Sequence, residues 1–223
     1  LDSCVDVQAE ECPDCKVPMD LAYRAQAVTS FAPSQLLNRS QQAGHYLLYC
    51  FDNIMNLSLL EAKELVLDPV DARLDELLED VVMMFKQRTQ YRERVLRMEV
   101  KTTRVRAHCD PERVREVLAH LVDNALRFSS AGDEVVVRLE DGAASQVRLS
   151  VIDTGLGIAT DAQHAIFESF QQADSSHTRD HAGLGLGLTL ALGLIELHGS
   201  KLEFESEIDR GSDFSFELPT VDS

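Results

Sequence analysis

The sequence predicts an α-helical segment followed by a two-layer α/β sandwich, and three observations carry that prediction. Apolar residues recur at helical spacing between Ser40 and Leu65. Pro69 then interrupts the pattern near an acidic stretch. Beyond it, short alternating segments interleave with amphipathic helices at the spacing of a sandwich. The boundary falls at 68–71 and divides the chain into residues 1–68 and 69–223.

Residues 1–39 are the least readable part. Pro13, Pro18 and Pro33 interrupt them, and a proline inside a helix costs about 3 kcal/mol. A short or kinked helix over 19–30 is the most that is expected there. In the following segment Leu47, Leu48, Phe51, Ile54 and Met55 mark one helical stripe. After Pro69, a second amphipathic helix gathers Leu74, Leu77, Leu78, Val81, Val82 and Phe85 on one face. Strands are expected near 97–108, 134–140, 146–152, 201–206 and 213–218, the last with Phe214, Phe216 and Leu218 on one side. Helices are expected over 111–128, where Pro111 suits a first turn, and over about 185–198. There are no internal repeats or low-complexity tracts.

Composition narrows the function. With 223 residues, 44% of them hydrophobic, the chain can build a core in one large domain or two small ones. No apolar run approaches the roughly 20 residues that span a bilayer, and no signal peptide opens the chain. It begins at Leu1 and is read as a fragment of a longer protein. A membrane anchor can lie upstream, and this part is expected in the cytoplasm without membrane contact of its own. The formal charge of −17 argues against a nucleic acid partner. It leaves a nucleotide open, because local cations, backbone amides and Mg2+ suffice for one. The five cysteines are odd in number and mostly scattered. Cys12 and Cys15 form a C-x-x-C with only Cys4 as a nearby third ligand, so incidental thiols are a better reading than a four-ligand metal site.

Three short stretches of the second domain could carry chemistry together. Helix 111–128 ends in His120-Leu121-Val122-Asp123-Asn124-Ala125-Leu126-Arg127-Phe128. The strand at 147–152 runs into Asp153-Thr154-Gly155-Leu156-Gly157-Ile158, and Gly183-Leu184-Gly185-Leu186-Gly187-Leu188 opens a helix. An Asn amide oxygen is a hard, neutral ligand suited to Mg2+ carried by a nucleotide. An ionised Asp only accepts hydrogen bonds, so it can select the exocyclic amine of adenine. Glycines behind it let the backbone approach a flat base. A glycine-rich loop feeding a helix N-terminus offers amides and a positive dipole end to phosphates. Each signal is weak alone, as a surface residue, a turn or a hinge, and their ordered combination is specific. Neither a G-x-x-x-x-G-K-[ST] nor a G-x-G-x-x-G motif is present.

The combination resembles the nucleotide-binding domain shared by histidine kinases, gyrase and Hsp90, with details closest to histidine kinases. His120 to Phe128 is similar to their asparagine box, which implies Asn124 at the Mg2+-binding position and Arg127 facing phosphate. Asp153, Gly155 and Gly157 match the first glycine box with Ile158 behind it, which implies an adenine contact for Asp153. Ile166 to Phe170 resembles the phenylalanine box. Gln171 to Ala182, with Arg179, corresponds to the mobile lid over ATP. Gly183, Leu184, Gly185, Leu186, Gly187 and Leu188 correspond to the second glycine box. Residues 43–62 resemble the second helix of the family's dimerisation hairpin, two copies of which pair into a four-helix bundle. The resemblance covers about residues 40–219.

The departure lies at the front. Active relatives carry H-E-x-x-[ST]-P, whose His accepts phosphate, whereas here the best match is Pro13-Asp14-Cys15-Lys16-Val17-Pro18 and no histidine precedes His45. Proline has no side-chain nucleophile. Asp14 occupies the place of an acidic helper and is the one catalytic candidate of that segment, set against its plainer reading as a helix-start carboxylate. His177 and His181 of the lid are candidate substitute acceptors.

The expectation is therefore the ATP-binding core of a two-component sensor histidine kinase that lacks its own acceptor and acts as a regulator, phosphatase or pseudokinase in a phosphorelay. One alternative is an active kinase whose acceptor lies elsewhere. Another is an ATP hydrolase of the gyrase and Hsp90 type, disfavoured because those enzymes place a Glu where His120 stands. ATP and Mg2+ are the implied ligands. A homodimer through the hairpin and a response-regulator receiver domain, or another histidine kinase, are the implied partners.

Overall fold

The structure, a computed structural model, describes residues 33–87, 91, 93–163, 165–167 and 185–221. Its first element is helix α1, Pro33–Glu61. Pro33, expected to interrupt structure, instead begins the helix, where a missing N–H and a fixed φ cost nothing. The packing divides the chain between Phe51 and Asp52, inside α1. In the first unit Leu47, Leu48 and Phe51 point outward, 67%, 62% and 60% exposed. The expected helix over 19–30 lies outside the described residues.

The second unit opens with the end of α1, whose Leu59 and Leu60 pack on its core. Strand β1, Val70–Arg73, leads directly into helix α2, Leu74–Lys86, which buries the six apolar residues expected of it. The stretch expected as one strand near 97–108 is two: β2, Val95–Val100, and β3, Arg106–Cys109. They belong to different sheets, because β3 pairs antiparallel with β1 while β2 pairs parallel with β4, Glu134–Asp141. β1 was not expected, since four residues give no readable alternation. Between β3 and β4 runs helix α3, Pro111–Phe128, the crossover a parallel pair requires. Asp110 caps it, its Oδ1 accepting from the Glu112 and Arg113 amides at 3.1 and 3.2 Å.

Strand β5, Gln146–Asp153, helix α4, Gly187–Leu197, and strands β6, Glu203–Glu207, and β7, Gly211–Pro219, complete the fold. The main sheet has the order β2-β4-β5-β7-β6. Its inner face forms rows set by register: Val137 opposite Val151 opposite Phe214, and Leu139 opposite Leu149 opposite Phe216. The alternate residues Arg138, Glu140, Arg148 and Glu217 carry the polar outer face, as a period of two demands. Helices α2, α3 and α4 cover the inner face and share one core with it. The two-layer α/β sandwich is thus borne out. Among the described residues, no helix is long and apolar enough to cross a membrane.

Candidate functional site

Asp153 is the last residue of β5 and lies 6% exposed. Its Oδ1 accepts the Gly155 amide at 2.9 Å. Burial pushes the carboxyl above its ordinary value; the nearby Gly155 and Ser212 amides pull it down, while Asp133 and Asp213 add to the rise. The chain therefore maintains a desolvated acceptor at the end of a central strand.

The glycines around it answer to the protein's own backbone. A Cβ on Gly155 would lie 2.5 Å from the Phe128 carbonyl oxygen, which also accepts the Leu156 amide at 3.2 Å. Gly157 sits at φ +64°, and a Cβ there would meet the Glu207 carbonyl oxygen at 2.0 Å. These contacts seat the loop after β5 between the end of α3 and the β6–β7 turn. Ile158 is fixed in that loop, its amide donating to Ser206 Oγ at 2.8 Å and its carbonyl accepting Gln163 Nε2 at 3.2 Å.

The other end of the site is polar. Asn124 is half-buried in the last turns of α3. Arg127, one turn on, donates through Nη2 to Asp123 Oδ2 at 2.8 Å. Asp123 Oδ1 accepts the Tyr91 hydroxyl at 3.0 Å. Sequence reasoning passed over both Tyr91 and Asp123. Asp123 had a readable signal, an acid four residues before an arginine on a helix; Tyr91 had none, because its partner lies across the fold.

Helix α4 starts at Gly187, and among the described residues no side chain caps its first amides. Gly185 precedes it at φ +68° and Leu186 is buried, 1% exposed. A Cβ on Gly187 would sit 3.3 Å from His120 Nδ1, so α4 begins directly over α3. Leu188 is half-buried and packs on the core. Thr189 Oγ1 donates to the Phe167 carbonyl at 3.1 Å, tying the short 3-10 turn Ala165–Phe167 to α4. His120 is itself buried, 3.9 Å from Glu116 Oε1.

The structure thus brings Asp153, Gly155, Gly157 and Ile158 together in one loop, and places Asn124 and Arg127 on α3 and Gly185, Leu186, Gly187 and Leu188 at the start of α4. A buried acceptor, an uncapped helix N-terminus and a helix-borne amide suit a purine, an anionic chain and a metal brought by that chain, respectively. Among the described residues no three His, Cys, Asp or Glu side chains converge as a metal site. Asp14, Pro13, Phe170, Arg179, Gly183, Leu184 and the lid histidines lie outside the described residues.

Residues 109–222 match the family described as "Histidine kinase-, DNA gyrase B-, and HSP90-like ATPase". Sensor protein GacS of Pseudomonas syringae pv. syringae is 33% identical over 189 residues, covering 82% of this chain and 21% of that protein. The chain spans about a fifth of the length of the curated relatives it matches. Among solved structures, full-length ShkA in complex with AMPPNP aligns with a TM-score of 0.72 and 26% identity, over 86% of this chain and 40% of that one. Histidine kinase ThkA in complex with the response regulator protein TrrA shares the fold, with a TM-score of 0.63 and 23% identity over 91% of this chain and 57% of that one.

Proposed function

The chain belongs to the histidine kinase-, DNA gyrase B- and HSP90-like ATPase family, and from that membership we propose that it is the ATP-binding core of a two-component sensor kinase that lacks its own phosphoacceptor. The observation that carries the nucleotide reading is Asp153, desolvated at a strand end and held by the Gly155 amide. In this reading Asp153 accepts the adenine amine, with Gly155, Gly157 and Ile158 shaping the loop beside the base. Asn124 holds Mg2+ through the nucleotide, and Arg127 faces the phosphates. The amides of α4 from Gly187 receive the phosphate chain, and Gly183, Leu184, Phe170 and Arg179 complete the closure.

The absent acceptor rests on Pro13, which stands where the family's phosphorylated His is expected and carries no side-chain nucleophile. Phosphoryl transfer is mostly positioning and electrostatics, but it still requires a nucleophile in line with the γ-phosphate. Residues 1–68 then serve as a dimerisation segment and 69–223 as the nucleotide domain. The outward Leu47, Leu48 and Phe51 supply the apolar face for a homodimer in a four-helix bundle. The complex of ThkA with TrrA supports a receiver-domain partner, toward which Asp14 could act as a phosphatase base. The buried His120 gives no exposed water-activating carboxylate at its position and disfavours the hydrolase reading.

Incubation of the chain with γ-labelled ATP and Mg2+ tests this. ATP binding without retained label is the expected result. Alkali-stable, acid-labile label would identify phosphohistidine and replace the pseudokinase reading by that of an active kinase with a displaced acceptor.

A further inference from the structure

We propose that the outer face of the main sheet, from the end of β4 across β5, β7 and β6, is a docking surface for a basic polypeptide segment of a partner protein. Helices α2, α3 and α4 pack on the inner face, and among the described residues no helix packs on the outer one. A cleft of about 680 Å3 lies there, with Glu140, Arg148, Glu203, Glu205, Asp213 and Glu217 in its lining.

The two halves of this face differ in how their charges are matched. Between β2 and β4, Arg97 pairs with Glu134 at 2.8 Å, and Lys101 and Arg138 both meet Glu99 at 2.9 Å. Arg104 reaches Asp141 at 2.8 Å. Across β5, β7 and β6 the carboxylates outnumber the cations. Register sets Arg148 of β5 between Glu140 of β4 and Glu217 of β7. Its guanidinium serves Glu203 Oε2 at 3.1 Å and Ser215 Oγ at 2.6 Å instead. Among the described residues Glu140 and Glu205 form no ion pair, and Glu217 accepts the Ala143 amide at 3.2 Å.

Asp213 is the least satisfied member. It stands directly opposite Glu205 of β6, a like-charge pair that costs stability unless a cation answers it. Its Oδ1 is sealed from solvent and meets no hydrogen-bond donor among the described residues. Burial pushes its carboxyl above its ordinary value; Arg148 and Arg138 pull it down, while Glu205 and Glu140 add to the rise. A cation docked in the cleft offsets that desolvation and separates the like charges.

The kind of occupant follows from the spacing. Among the described residues no three His, Cys, Asp or Glu side chains converge as a metal site, so a single ion does not match this face. The carboxylates are spread over β4, β7 and β6, and neighbouring strands lie about 4.8 Å apart. Successive Lys or Arg side chains of one extended segment can answer them in turn through charge-assisted hydrogen bonds.

The test titrates the full 223-residue chain with an acetylated, amidated tetralysine peptide and with spermine at fixed ionic strength. Asp213→Asn and Glu205→Gln should each weaken tetralysine about fivefold, the upper end for a surface ion pair. Glu79→Gln changes the net charge equally but lies exposed on α2, and it should shift the affinity less than about twofold. Glu205 is exposed, so its variant tests the face even where Asp213→Asn alters folding. The proposal is overturned if tetralysine does not bind, or if both face variants bind it as tightly as the native chain. It is equally overturned if Glu79→Gln loses as much as they do, which leaves only attraction to the net charge. Spermine binding as tight as tetralysine and as sensitive to Asp213→Asn would assign the cleft to a free polyamine and overturn the polypeptide partner.

Discussion

Helices α1 and α3 are both long, both amphipathic, and differ in what became of their apolar stripes. In α3, Val114, Val117, Leu118, Leu121 and Val122 are all buried against the sheet and neighbouring helices. In α1, Leu47, Leu48, Phe51, Ile54 and Met55 are exposed. The same periodic signal therefore records a need for an apolar partner without naming it. α3 meets that need within the chain, whereas among the described residues the stripe of α1 stays exposed.

The sharpest way to break this comparison is to truncate one residue from each stripe. Leu118→Ala, at a site with no exposure, should cost about 2–5 kcal/mol by removing buried methylenes and leaving a cavity. Phe51→Ala should change the unfolding of the nucleotide domain by less than about 0.5 kcal/mol. Thermal melts of the two variants decide the matter, and equal losses would mean that α1 is a core element like α3. Next in size, Phe51→Asp should shift the chain toward monomer in sedimentation while Mg2+-ATP binding stays. An unchanged sedimentation profile would sink the role of the stripe in dimerisation.

Asp153 sharpens the contrast between stability and function inside the sandwich. Its carboxyl is raised by burial, so the folded state holds the proton more tightly than the unfolded one. Stability contributed by this group is accordingly greatest at low pH and declines as pH rises from its unfolded value through its raised folded value. At neutral pH, Asp153→Asn should therefore unfold no more easily than the native chain, and its pH profile should lose that decline. The same variant should bind ATP at least tenfold more weakly, because an amide nitrogen facing the adenine amine sets donor against donor. Tight ATP binding by Asp153→Asn would remove the assigned adenine contact. Smallest of the set, Asp110→Ala removes the cap of α3 and an acceptor for the Asp68 amide at 3.0 Å. It should cost about 1 kcal/mol in denaturant unfolding.

Local features were legible in the order of the residues. The six buried residues of α2, the span of α3 with Pro111 in its first turn, and the inward Phe214, Phe216 and Leu218 of β7 all follow from period and turn chemistry. What escaped depended on distant partners. The 97–108 stretch reads as one strand because nothing local shows that its halves pair with β1 and β4 in separate sheets. Nor does any local signal show that Gly155 and Gly157 also make room for the carbonyls of Phe128 and Glu207.

By itself, the sequence determined the sandwich, its amphipathic helices and the three stretches that carry the proposed nucleotide chemistry, since periodicity and turn residues act over a few neighbours. Tertiary structure alone decided which strands pair, that Asp153 is desolvated, that α4 begins over His120, and that Tyr91 reaches Asp123. Burial and hydrogen bonding between residues far apart in the chain exist only after the core has closed.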